Sequence, residues 1–167
     1  MSTLGVHFAL NLTEVNALKS FETDEEKLSY ITETIEDLYF VYHKNLLAQT
    51  DKAWDAIHRT LGDGSLDYTS GPYPLRLTVL GGESIYSQDD YVMSLKTPKE
   101  VIDIAEALKT VTIEMFLTKY NAIDEVLYDY PKSQEDFEYS WHWFQELVKF
   151  YSVAAAENRH VLFTVDQ

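Results

Sequence analysis

The sequence predicts an α/β domain: a helix-rich three-layer sandwich whose small, mostly parallel or mixed sheet of about three strands carries helices on both faces. Three observations lead there. Short runs rich in apolar, β-branched and aromatic residues at 4–10, 91–95 and 160–165 lie between polar stretches, as buried strands do. Amphipathic helical segments with recognisable start signals fill most of the chain between them. The last helix, from Ser133 to about Ala156, is apolar over much of its circumference, so it should lie deep against a sheet or between neighbours.

In chain order, LGVHFAL at 4–10 is the first strand, and His7 inside it reads as a core or edge histidine. A short helix from Thr13 to Ser20 follows. Thr23-Asp24-Glu25-Glu26 is a capping box that opens a second helix, with Leu28, Ile31, Ile35, Leu38 and Tyr42 at helical spacing to about residue 43. The stretch DKAWDAIHRTLGDG at 51–64 puts Trp54, Ile57, His58 and Leu61 on one helix face and stops at Gly62. A loop rich in Gly, Asp, Ser, Tyr and Pro runs on to Pro74. Residues 74–80 read as a short helix opened by Pro74 and closed by Gly81, with RLTVL as a competing strand.

After a polar loop and the strand at 91–95, Thr97-Pro98-Lys99-Glu100 starts a helix whose inner face is Val101, Ile104, Ala105 and Leu108. Helical stretches at 112–120 and 122–127 precede Tyr130-Pro131 and the long helix. HVLFTV at 160–165 closes the sheet. The strands at 91–95 and 160–165 are separated only by helices, which permits a right-handed crossover between parallel strands.

The 167 residues make one domain, 1–167, large enough to bury its own core. A net charge of −15 opposes recognition of phosphate backbones or of an anionic membrane surface, so neither nucleic acid nor membrane is an expected partner. The charge serves solubility, or forms an acidic face for a basic protein. With no cysteine, disulfides, thiol nucleophiles and thiolate metal sites are excluded. No leader-like or membrane-spanning stretch is evident, so a cytoplasmic location is expected. The 12 tyrosines are consistent with a homodimer interface.

The densest cluster of chemically capable side chains is Asp51, Lys52, Trp54, Asp55 and His58. Asp55 and His58 are three residues apart on a helix, so the carboxylate could orient the imidazole for acid–base work. The competing reading buries Trp54, Ile57 and His58 and leaves Asp51 and Asp55 in solvent. Gly81-Gly82-Glu83 could offer amides and a carboxylate to a ligand, or simply be a helix stop and a turn. Tyr130, beside Pro131, could wall the same cleft or pack a turn. Glu138, His142 and Glu146 recur on one helix face, which more often marks a solvated strip than a metal site. No metal or other cofactor is implied.

Taken in order, the segments DKAWDAIHRTLGDG, PLRLTVLGGESI, YVMSLKTPKEVIDIAEAL, EVLYDYP, the aromatic helix from Asp136 and NRHVLFTV resemble the YfbM-like family of small bacterial proteins of unknown function. The resemblance spans nearly the whole chain and rests on order and spacing, since no single motif is specific. It implies a three-layer α/β domain and no particular activity. On matching positions it stresses Asp51, Lys52, Trp54, His58, Gly81, Gly82 and Tyr130-Pro131. This chain departs from the family pattern at Asp55, where His is commoner in relatives, which weakens the Asp55–His58 pair as a shared mechanism.

Two functions follow as expectations. The first is a non-catalytic binding or interaction protein, in one version neutralising a basic toxin with its acidic face. The second is a small-ligand sensor or enzyme with a cleft around Trp54, His58 and Gly81–Glu83.

Overall fold

The computed structural model describes residues 4–167. Its centre is a five-stranded sheet of β1 (Gly5–Leu10), β2 (Leu47–Asp51), β3 (Glu83–Ser84), β4 (Tyr91–Lys96) and β5 (His160–Asp166), in the order β2-β1-β5-β4-β3. Every neighbouring pair is antiparallel. This corrects the expectation of about three mostly parallel or mixed strands. The chain leaves β4 at Lys96 and re-enters the sheet beside it, Lys96 pairing with Val161 and Tyr91 with Asp166. Three helices lie between the strands and bring the chain back to the end it left, whereas a single crossover helix would have delivered it to the other end.

Residues alternate between the two sides of a strand, so neighbours in β1 serve opposite layers. Phe8 meets the Tyr39 ring edge-on at 5.7 Å on one side, within the layer built from α1 (Leu12–Ser20), α2 (Asp24–Ser29) and α3 (Glu36–Tyr42). A π-helical segment, Tyr30–Ile35, joins α2 to α3 without a break. His7 faces the other way, against Phe163 of β5 and against Phe150 and Tyr151 of α7 (Gln134–Ala156). α4 (Trp54–Leu61) and α5 (Pro98–Leu108) share that second layer, and α6 (Ile113–Asn121) packs on α4 and α7. Each fully buried aliphatic or aromatic side chain in these layers contributes about 1.5–3 kcal/mol.

Local chemistry fixes the helix starts. Asn11, Thr23 and Thr97 each form a capping box with the glutamate three residues on, and Ser133 caps α7 through the Asp136 amide. Two expected helices are not formed. Residues 74–80 contain only a 3-10 turn at Leu75–Leu77, because the carbonyls that follow are claimed by side chains of other elements. Residues 122–127 are turns in which the Asp124 carboxylate accepts from the Val126 amide, a local bond that competes with a helix. Among the described residues no helix is long and apolar enough to cross a membrane.

Candidate functional site

All eight residues of α4 are buried, including Asp55, His58, Arg59 and Thr60. The sequence marks an amphipathic helix, but the segment over 62–70 and the turn near Leu127 cover the face expected in solvent. Asp55 therefore pairs with Arg59, 2.7 Å from Oδ1 to Nε, and Arg59 also donates to the Leu127 and Gly64 carbonyls. Burial raises the Asp55 pKa, and the Arg59 bond opposes it.

His58 turns away from Asp55. Its Nε2 lies 2.9 Å from the Asp67 carbonyl, which can only accept, so Nε2 carries the hydrogen. Its Nδ1 is buried with no hydrogen-bond partner among the described residues, and burial depresses its pKa. Trp54 packs on Phe163 at 6.1 Å.

The remaining cluster residues are dispersed around this helix. Asp51 ends β2 with a left-handed backbone, φ 49°, and the Lys52 amide donates to Tyr139 Oη at 3.1 Å. Gly81 is buried, and a Cβ there would collide with the Arg76 carbonyl oxygen. Gly82 has φ 128°, and a Cβ there would stand 2.6 Å from the Leu95 carbonyl oxygen, so glycine is required. Glu83 is exposed and pairs with Lys19 at 2.9 Å. Tyr130 packs edge-on against Tyr128 at 5.6 Å. Trp54 and His58 share one helix, but His58 binds Asp67 while Glu83 binds Lys19, so these two do not converge.

Glu138 accepts from Gln134, Glu146 pairs with Lys149, and His142 lies edge-on to Trp143. No group of three or more His, Asp or Glu side chains among the described residues is placed to hold a metal ion.

Sequence reasoning missed a polar centre under the sheet. His7 Nε2 and Tyr151 Oη both donate to the Thr78 carbonyl, at 2.9 and 2.6 Å. Lys96 Nζ donates to Val79 O at 2.5 Å and to Ser94 Oγ at 3.2 Å. Ser94 Oγ in turn shares its hydrogen between the Leu80 and Gly81 carbonyls, 2.8 Å from each. Four consecutive carbonyls are thus held by side chains from β1, β4 and α7.

Lys96 is fully buried, with no carboxylate among its hydrogen-bond partners, and burial lowers its pKa well below the ordinary value. Burial, and then the proximity of Lys96, lowers His7 to about 3. Burial drives the Tyr151 hydroxyl well above its ordinary value. His7 and Tyr151 are neutral at pH 7, and all three groups are committed to backbone carbonyls.

The concavities lie elsewhere. A groove of about 620 Å³ follows the free edge of β2 between Phe40 and the Trp143, Phe150 and Val153 face of α7. A hollow of about 470 Å³ sits on α2 and the π-helical segment, walled by Phe21, Tyr30, Glu25, Glu26 and Glu33. A third, of about 390 Å³, lies between the end of α4 and α6. The only local sequence signal for any of them was the acidic first turn of α2, which complements the helix dipole equally well.

Comparison with known proteins agrees with this fold. The sequence profile of a domain of unknown function, DUF1877, matches residues 1–164. The chain belongs to the DUF1877 family. Among solved structures, the DUF1877 chain is similar to the protein of unknown function YfbM from Escherichia coli, with a TM-score of 0.65 and 17% identity over 97% of this chain and 99% of that one. At that identity the likeness speaks for the fold alone. No curated protein matches the chain.

Proposed function

We infer that this DUF1877 chain is a non-catalytic, cytoplasmic interaction domain that takes a basic protein partner on the face formed by α2 and the π-helical segment. The supporting observation is the acidic hollow. Phe21 and Tyr30 stand 5.4 Å apart there, Glu25, Glu26 and Glu33 surround them, and no lysine or arginine lines the wall. Aromatic faces beside carboxylates suit a lysine or arginine head, which gains both cation–π and ionic attraction.

The three carboxylates have different tasks. Glu26 is occupied as the cap partner of Thr23, whose amide and hydroxyl keep it below the usual carboxylate range. Glu25 and Glu33 are exposed and serve the partner. The net charge of −15 steers a basic protein toward the surface from a distance.

The contrasting reading, an enzyme or ligand sensor built on Trp54, His58 and Gly81–Glu83, has less behind it, because His58 is spent on Asp67 and Glu83 on Lys19. If the partner is itself a toxic basic enzyme, the complex neutralises it.

The test is affinity capture from the native cell at low salt, comparing the wild type with a Glu25→Lys/Glu33→Lys variant. A basic partner retained in stoichiometric amount by the wild type and lost by the variant is expected. A partner held equally by both, or none in stoichiometric amount, defeats the reading.

A further inference from the structure

We propose that the groove along β2 takes an extended peptide segment of a partner protein, which adds a sixth strand antiparallel to β2 and sets an acidic residue at its C-terminal end beside Lys44. This does not depend on the basic-partner reading, since the groove and the acidic hollow share no residue.

The two edges of the sheet differ. β3 has only two residues, Glu83–Ser84, and shortness is one way in which an edge is kept from recruiting another strand. β2 runs over five residues without proline, and its one irregularity lies between Gln49 and Asp51, beyond the regular stretch Leu47–Gln49. Alternate amides and carbonyls of a paired strand point away from its neighbour. Among the described residues nothing takes up those of Leu47–Gln49 on the outer side. The group that satisfies such a row is another extended backbone.

The walls select a lone strand over a second copy of the chain. Phe40 comes from the helical layer on one side of the sheet, and Trp143, Phe150 and Val153 come from α7 on the other. All four line the groove whose floor is β2, so both layers reach past the last strand. A single extended segment enters between them and lays alternate side chains on either wall. The β2 edge of a second copy would bring the same two overhangs and meet these head-on. The net charge of −15 on each copy opposes that pairing as well.

Charge gives the segment its direction. α7 starts along β2 at the far end, where the Lys52 amide donates to Tyr139 Oη, and it also packs on the Lys44–Leu46 turn that precedes the strand. From Tyr139 to Lys149 the helix advances about 15 Å, close to the length of β2, which brings Lys149 toward the Lys44 end. Both lysines line the groove, against one carboxylate, Glu146, which Lys149 already pairs. Lys44 is exposed and makes no ion pair among the described residues. A strand added antiparallel to β2 has its C-terminal end at this locally positive end, so an acidic residue there meets Lys44.

The experiment titrates the full chain with two blocked heptapeptides of one composition, acetyl-Thr-Val-Thr-Val-Phe-Val-Asp-amide and acetyl-Asp-Thr-Val-Thr-Val-Phe-Val-amide, following backbone amide shifts by NMR. Saturable shifts at Leu47–Gln49 and Trp143 are expected at peptide concentrations up to about 1 mM. The peptide with aspartate at its C-terminal end should bind about two- to fivefold more tightly, the range of one exposed ion pair. Lys44→Glu, a change at an exposed position, should remove or reverse that preference. N-methylation of this peptide at alternate residues should weaken binding about tenfold or more in one phase and change it less than about threefold in the other, because only one phase blocks the amides that face β2. No saturable shift at β2, equal binding of the two N-methylated phases, or a preference that Lys44→Glu leaves intact would overturn the proposal. Shifts at Leu47–Gln49 that grow with protein concentration alone would give the edge to a second copy, and overturn it equally.

Discussion

His7 illustrates how the polar centre ties stability to pH. Its ring is wholly buried between β1 and α7, close to Lys96, and its pKa is lowered from 6.5 to about 3, although the Thr78 bond acts in the opposite sense. The unfolded chain titrates at the ordinary value, so below about pH 6.5 the unfolded state binds a proton that the folded state refuses. The neutral ring therefore costs nothing above that pH. Stability is lost progressively as the pH falls toward 3, by about 1.4 kcal/mol per unit.

Between pH 7 and pH 5 this amounts to about 2 kcal/mol, a large part of the stability of a domain of this size. The assay is urea unfolding at both pH values for the wild type and for His7→Gln, whose amide keeps a donor for Thr78 but does not titrate. Carboxylates contribute equally to the two proteins, so the wild type should lose about 2 kcal/mol more than the variant. Equal losses would refute the argument that His7 is held neutral.

Lys96→Met removes a second group whose pKa burial lowers; variant stability relative to wild type should be greatest at low pH, and the gap should narrow as the pH rises toward the ordinary lysine range, by up to about 1.4 kcal/mol per unit. A gap that stays constant or widens with rising pH would show that the lysine pKa is not lowered in the folded protein. Arg59→Met strands the buried Asp55 carboxylate and should cost about 3–5 kcal/mol in chemical denaturation, whereas Arg59→Met with Asp55→Leu should cost much less. Gly82→Ala forces a Cβ against the Leu95 carbonyl at φ 128° and should lower stability by about 1–3 kcal/mol; a melting temperature equal to wild type would show that the β3 turn relaxes freely.

Where the sequence was informative, the signal was local. Thr23, Thr97 and Ser133 announced three helix starts through side-chain–amide bonds, and each starts within a residue of the expected place. The runs at 4–10, 91–95 and 160–165 likewise became β1, β4 and β5. β2 was not legible, because Leu47-Ala48-Gln49-Thr50-Asp51 has little β-branched or aromatic character and is held by pairing with β1. Strand direction was not legible either. It depends on where α5 and α7 deliver the chain, a matter of tertiary packing.

In the candidate site, helical spacing placed Trp54 and His58 on one helix, while the partners of the polar groups were not legible from it. Asp55 found Arg59 rather than His58, and His58 found Asp67. Lys96 closes a strand just before a helix cap, a place that reads as an exposed flank, and only the packing of the 78–81 segment reveals it as an interior donor.

That segment has a consequence for how the family can vary. A backbone stretch stitched by foreign side chains is indifferent to much of its own lettering: Val79 and Leu80 can exchange for other apolar residues at small cost. The constraint is exported to His7, Ser94, Lys96 and Tyr151, which stand far apart in the chain yet serve adjoining carbonyls. Relatives that lose one of these donors should therefore show a matching change in another, or a rebuilt turn before β3, so drift at these four positions should be correlated.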